Sequence, residues 1–144
     1  MIQKNDEDIL NTIYKNSRMA YDSTGQVMTK CRSTELTEYL RRQRNHYASA
    51  CREARSRLEA GGCKPRPVPA MQQLTAQVGI AMKTAFDKSG SHIAELMYDG
   101  TNMGIINIAR SVNHSSDASP DIMRLAEQLL SGEEKYADGL RKFL

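Results

Sequence analysis

The chain places its four prolines at positions 65, 67, 69 and 120 and nowhere else. Proline removes a backbone donor and clashes with the preceding helical turn, so long proline-free stretches are where helices can run. Between Asp6 and Cys31, apolar or small residues recur at Leu10, Ile13, Tyr14, Ser17, Tyr21, Thr24, Met28 and Cys31. This three-then-four spacing marks one face of a helix. Asp6, Glu7 and Asp8 lie where the N-terminal dipole favours acids, and Lys30 and Arg32 close the other end. Ser33 with Glu35, or Thr34 with Glu38, opens a second helix that carries Leu36, Leu40, Gln43, Tyr47, Ala50, Ala54 and Leu58 on one face. Gly61-Gly62 ends it in the manner of C-terminal glycines. The turn between these helices is so short that they must run antiparallel.

Cys63-Lys-Pro-Arg-Pro-Val-Pro69 then forms an extended connector. Met71, Leu74, Val78, Ala81, Met82 and Ala85 follow at helical spacing and predict a shorter helix ending near Asp87-Lys-Ser-Gly90. A third long helix is predicted from about Ser91 to Asn113, with Ile93, Met97, Gly100, Gly104, Ile108 and Ser111 inward. After the loop 113–120, Ser119 at the cap, Pro120 at the first helical position and Asp121 announce the last helix. It presents Ile122, Leu125, Ala126, Leu129, Glu133, Tyr136, Leu140 and Phe143. The expectation is therefore an all-α chain, one domain over residues 1–144. Two antiparallel hairpins make a four-helix bundle, joined by a long crossover that holds a short extra helix. A simple up-down bundle with short loops needs no such connection; a bundle whose second and third helices are joined by a long crossover does.

Composition agrees: no tryptophan, two phenylalanines and eight methionines suit helix packing better than strands. No apolar run approaches the roughly 20 residues of a membrane span, and the acidic N-terminus has no apolar signal region. Cys31, Cys51 and Cys63 are odd in number and far apart, so reduced thiols in a cytoplasm are expected. The net charge of +3 is too small to demand a polyanion partner. Arg41, Arg44, Arg52 and Arg55 do line one flank of the second helix, a stripe able to track phosphates. Glu38, Glu53 and Glu59 share that helix without interleaved aromatic residues, so a salt-bridged, solvated face is expected and nucleic acid is not an expected partner.

Bundles that hold two metal ions draw one Glu from each of two helices and Glu-x-x-His from each of the other two, all facing inward near mid-length. At that level the second helix reads Gln43-Arg-Asn-His46 and the fourth reads Glu133-Glu-Lys-Tyr136. At about 100° per residue, Gln43, Glu133 and Tyr136 project into their stripes and His46 lies roughly 80° off. The first helix offers Tyr14, Ser17, Tyr21 and Thr24 inward, and the third offers Gly100 and Gly104. One carboxylate cannot balance two buried divalent ions. No metal, cofactor or catalytic residue is therefore expected, and Gln43, His46, Glu133 and Tyr136 stand as the candidate polar layer. Three readings stay open for it: a hydrogen-bonded layer that fixes helix register, a single-metal or small-ligand site, or plain solvent contact. The pair Gly100 and Gly104 either lets the third helix approach a neighbour closely or borders a ligand cleft.

With Tyr14-Lys-Asn-Ser17-Arg18 in one hairpin and Tyr98-Asp-Gly100-Thr101 in the equivalent half of the other, the chain resembles the bacterial ferritin-like domains of unknown function. These are relatives of the stress-inducible rubrerythrin-like bundles. The likeness runs from about Ile9 to Leu144. In such proteins these places often read Lys-Asp-Gly-Glu and Glu-Arg-Gly-Glu. Here Arg18 and Thr101 replace the last acid, and Tyr98 the first acid of the second motif. The resemblance implies a ferritin-like fold and a stress-linked role, without metal chemistry. The expected function is a non-catalytic structural or protein-interaction module. It would pair with a second copy through apolar residues off the core stripes, Val27, Ile105, Ile106 and Val112. The alternative is a metal- or small-molecule-binding protein that uses the layer around Glu133 and His46.

Overall fold

A computed structural model describes residues 2–69, 72, 79–81 and 89–144, and all regular structure among them is helical. Four long helices, α1 (Lys4–Met28), α2 (Thr34–Ala60), α3 (Gly90–Asn113) and α4 (Pro120–Leu140), are followed by a 3-10 turn, Arg141–Phe143. α2 and α4 start where Ser33 and Pro120 announce them, and α3 starts at Gly90, one residue before the expected Ser91, with Ser89 as its cap. Ser33 accepts from the Leu36 N–H at 3.2 Å and Ser89 accepts from the His92 N–H at 3.2 Å. Ser119 caps α4 differently: its side chain makes no cap bond, and its own N–H donates to Asp6 Oδ1 on α1 at 2.7 Å. The short helix expected over residues 71–87 lies almost wholly outside the described residues; Gln72 and residues 79–81 are helical.

Two apolar clusters give the helix directions. One joins Ile9, Leu10 and Ile13 of early α1 with Ala54 and Leu58 of late α2, Ile108 of late α3, and Ile122, Leu125 and Ala126 of early α4. The other joins Val27 of late α1 with Leu36 and Leu40 of early α2, Ile93, Ala94 and Met97 of early α3, and Leu140 at the end of α4. So α2 and α3 run one way while α1 and α4 run the other. α3 begins beside the α1–α2 turn, where a Cβ on Gly90 would lie 3.9 Å from Ser33 Cβ. The chain between α2 and α3 thus returns along the bundle. Its first part is held to α1, where the Arg66 N–H donates to Asn11 Oδ1 at 2.8 Å and Val68 is buried.

Three expectations about faces change. On α3 the buried residue is Thr101, 2% exposed, while Gly100 faces outward and Ser111 is half-buried. Val27 is 1% exposed and belongs to the core, because the end of α1 is enclosed by α2 and α3 together. Ile105 and Val112 are half-buried, which leaves Met103 and Ile106 as the exposed apolar pair on α3. Among the described residues no helix is long and apolar enough to cross a membrane.

Candidate functional site

Between the two apolar clusters lies a layer of polar side chains. Gln43 of α2 is fully enclosed, and its Nε2 donates both to Tyr47 Oη at 2.9 Å and to Thr101 Oγ1 at 2.8 Å. Thr101 in turn donates to the Met97 carbonyl at 2.7 Å, and the Tyr47 hydroxyl donates to Glu133 Oε2 at 3.1 Å. Each hydroxyl spends its single proton elsewhere and so accepts from the amide, which assigns Nε2 rather than Oε1 to that side of Gln43. Through Tyr47 the path from Gln43 ends on the one carboxylate. Its other oxygen, Oε1, lies 3.4 Å from His46 Nε2. With Glu133 only 2% exposed, this set of partners is what makes its burial tolerable. Burial, reinforced by the Glu133 charge, pushes the Tyr47 hydroxyl well above the usual phenol range.

Helix α4 makes room for the ring systems of α2 with two glycines. A Cβ on Gly132 would stand 2.7 Å from His46 Cε1, and one on Gly139 would stand 2.7 Å from Tyr39 Cζ. Tyr39 and His46 are seven residues apart on α2, as are Gly132 and Gly139 on antiparallel α4, so each ring meets its own gap. Tyr136 lies between them, 5.8 Å from the Tyr39 ring and 5.2 Å from the His46 ring. Its backbone carbonyl accepts from Tyr39 Oη at 2.8 Å, and its own hydroxyl donates outward to the Arg42 carbonyl at 3.2 Å.

Of the four expected layer residues, Gln43, His46 and Glu133 are brought together, while the Tyr136 hydroxyl points away from the carboxylate. Tyr14 and Tyr21, expected inward on α1, do not join the layer. Tyr14 packs on the first apolar cluster, and the Tyr21 ring lies beneath the Arg44 guanidinium, 3.9 Å from its centroid. Their places are taken by Tyr47 and Thr101. Tyr47 was concealed in the apolar stripe, although it stands one turn from Gln43 on the same face, and Thr101 was hidden by a three-residue step from Met97 to Gly100 where the buried residue lies four positions on. The mid-helix Gly132 was the remaining signal, since glycine there is unfavourable unless something approaches closely.

On its α1–α3 side the layer borders a cavity of about 520 Å³. Tyr47, Thr101 and Glu133 line its inner end; Asn16, Met19 and Val27 of α1 and Met97, Gly100 and Met103 of α3 line its walls. The two glycines of α3 divide their expected roles. A Cβ on Gly104 would press to 2.9 Å from Asn16 Nδ2, a close approach to α1, whereas one on Gly100 meets nothing within 4 Å.

Two hard cations would need several carboxylates here, and Glu133 is the single acid in the layer. Among the described residues no group of three or more His, Cys, Asp or Glu side chains converges in a metal-binding arrangement. The three cysteines are free, and burial raises the Cys51 thiol, which lowers its thiolate content. The arginine flank of α2 is largely occupied as well. Arg41 pairs with Glu38, Arg55 with Glu59 at 2.9 Å, and Arg44 Nε donates to the Tyr21 carbonyl at 3.2 Å. No protein-family model, curated protein or solved structure matches this chain.

Proposed function

We propose that the chain is a non-catalytic, cytoplasmic ferritin-like bundle with a structural or protein-association role. The connectivity supports the ferritin-like assignment: α2 and α3 share a direction and a long crossover joins them. The observation that carries the non-catalytic reading is the single carboxylate of the layer. Glu133 accepts from Tyr47 and lies 3.4 Å from His46, where a metal protein would present several acids to open coordination positions. Iron added to the protein with oxygen is expected to give no oxo-bridged absorption and no oxygen consumption; stoichiometric uptake of two irons would overturn the reading. Association is assigned to the exposed α3 pair, Met103 and Ile106, which a second copy would cover. Sedimentation should find a dimer at micromolar concentration that Ile106→Lys dissociates, and a 16.2 kDa species alone at high concentration would exclude it.

A second reading is favoured by one specific observation, the cavity of about 520 Å³ that ends on Glu133. Small-molecule sites are concave, largely apolar spaces of about 300–1,000 Å³ with a few convergent polar groups. A small-molecule-binding role for the Glu133 layer meets that description.

A further inference from the structure

This inference rests on the small-molecule reading and names its ligand. We infer that the cavity between α1 and α3 takes a small amphiphilic organic cation, an ammonium group on an apolar body, with the ammonium at Glu133 and the body between the methionines. Three observations converge on that chemistry.

The first is charge. The described lining residues include two acids, Glu133 at the inner end and Asp99 on α3, and no lysine, arginine or histidine. An anion would face a buried carboxylate with no cation among the described lining residues to offset it. A neutral ligand would forgo the charge-assisted hydrogen bonds that an ammonium donates. The second is the remaining capacity of the carboxylate. Oε2 accepts from Tyr47 and Oε1 lies 3.4 Å from His46 Nε2, while a carboxylate can accept about four hydrogen bonds. The Thr101 and Tyr47 hydroxyls beside it have spent their protons on Met97 and Glu133, so the inner end of the cavity is a set of acceptors. A ligand carrying only donors, as an ammonium does, complements that set. The third is the wall. Met19, Met97 and Met103 contribute unbranched, polarizable side chains that adapt to an apolar body without a fixed shape.

Gly100 offers a way to close the cavity without disturbing the fold, because a side chain there meets no atom within 4 Å at Cβ and stands on the lining. The probes are n-octylammonium, n-octanol and octanoate, which share one apolar body and differ in the head group. Binding is measured by calorimetry and by the shift in melting temperature. The wild-type protein is expected to bind octylammonium about tenfold or more tightly than octanol, the ratio one charged hydrogen bond supplies, and to bind octanoate more weakly than either. Glu133→Gln should bring octylammonium down to the octanol level. Gly100→Leu should abolish binding of both while its melting temperature stays the same or rises. Octanol binding that Gly100→Leu blocks, with no preference for the ammonium, would overturn the cationic ligand and leave the small-molecule reading standing. No binding of any probe, or binding that survives Gly100→Leu, would overturn both.

Discussion

Replacing Tyr47 by Phe removes one oxygen from the centre of the layer and nothing else. Gln43 Nε2 keeps Thr101 as an acceptor but loses the phenol, and Glu133 Oε2 loses its donor while Oε1 keeps His46. A buried carboxylate deprived of one hydrogen bond places the loss at about 1–3 kcal/mol near neutral pH, toward the upper half because the acceptor is charged. For a chain of this size that lowers the melting temperature by roughly 3–10 °C. The pH dependence makes the argument sharper. The Tyr47 phenol is held above its ordinary value by burial and by the Glu133 charge, so it keeps its proton in the folded chain when the unfolded chain has lost it. Above about pH 10 the unfolded state then binds fewer protons, and stability falls with rising pH. The contribution is complete below the unfolded pKa and is lost from there upward. Phenylalanine has no proton to lose, and the other tyrosines cancel between the two proteins. The stability gap between wild type and Tyr47→Phe should therefore narrow by about 1.4 kcal/mol from about pH 8 to about pH 11. Urea unfolding followed by far-ultraviolet circular dichroism at the two pH values measures it. A gap that stays constant or widens would refute the proposition that Tyr47 remains protonated against Glu133.

Glu133→Gln keeps the shape and most hydrogen bonds of the layer and should change stability little or raise it, whereas Glu133→Ala strands Tyr47 and His46 at a loss of about 1–3 kcal/mol. Thermal melts with and without a chelator check this; equal, chelator-sensitive damage in both variants would mean a bound cation. Gly139→Ala puts a methyl group 2.7 Å from Tyr39 Cζ, and the ring cannot yield without loosening its bond to the Tyr136 carbonyl. The expected loss is about 1–3 kcal/mol despite alanine's helix propensity, while Gly100→Ala should gain up to about 1 kcal/mol. Denaturation midpoints moving in the same direction for the two glycines would contradict the packing described for α4.

The helices were legible because their ends are written in local chemistry. Ser33, Gly61 and Pro120 act within one turn of themselves, and each stands at the boundary it announces. The depth of Glu133 was equally plain, since it interrupts a clear apolar row. What escaped was whatever depends on a second helix. A single stripe drawn along α1 excludes Val27, but a helix in a bundle faces two neighbours, and its buried arc is wider than one stripe. On α3 Ile93, Met97, Gly104 and Ile108 fall inward as expected, but Gly100 and Thr101 stand three and four residues after Met97, both spacings of one helix face, and neither is bulky enough to decide between them. The pairing of Tyr39 with Gly139 and His46 with Gly132 is in the sequence as two matching intervals of seven. It becomes visible only once α2 and α4 are known to lie side by side and antiparallel.

The return of the chain between α2 and α3 has a topological consequence. α2 ends beside Ile2 and α3 begins beside Ser33, so the two points are separated by about one helix length, some 40 Å for 27 residues. A chain of ten residues reaches at most roughly 35 Å when fully extended. A deletion within residues 61–89 that leaves about ten of them would therefore stop the second hairpin from reaching its place on its own first hairpin. Two copies lying side by side and antiparallel bring the trailing end of each α2 next to the place where the other copy's α3 must start. The shortened chain should then be recovered as a reciprocally exchanged dimer. Every bond between hairpins, from Asp6 to Ser119 and from Tyr47 to Glu133, would be remade between molecules rather than within one.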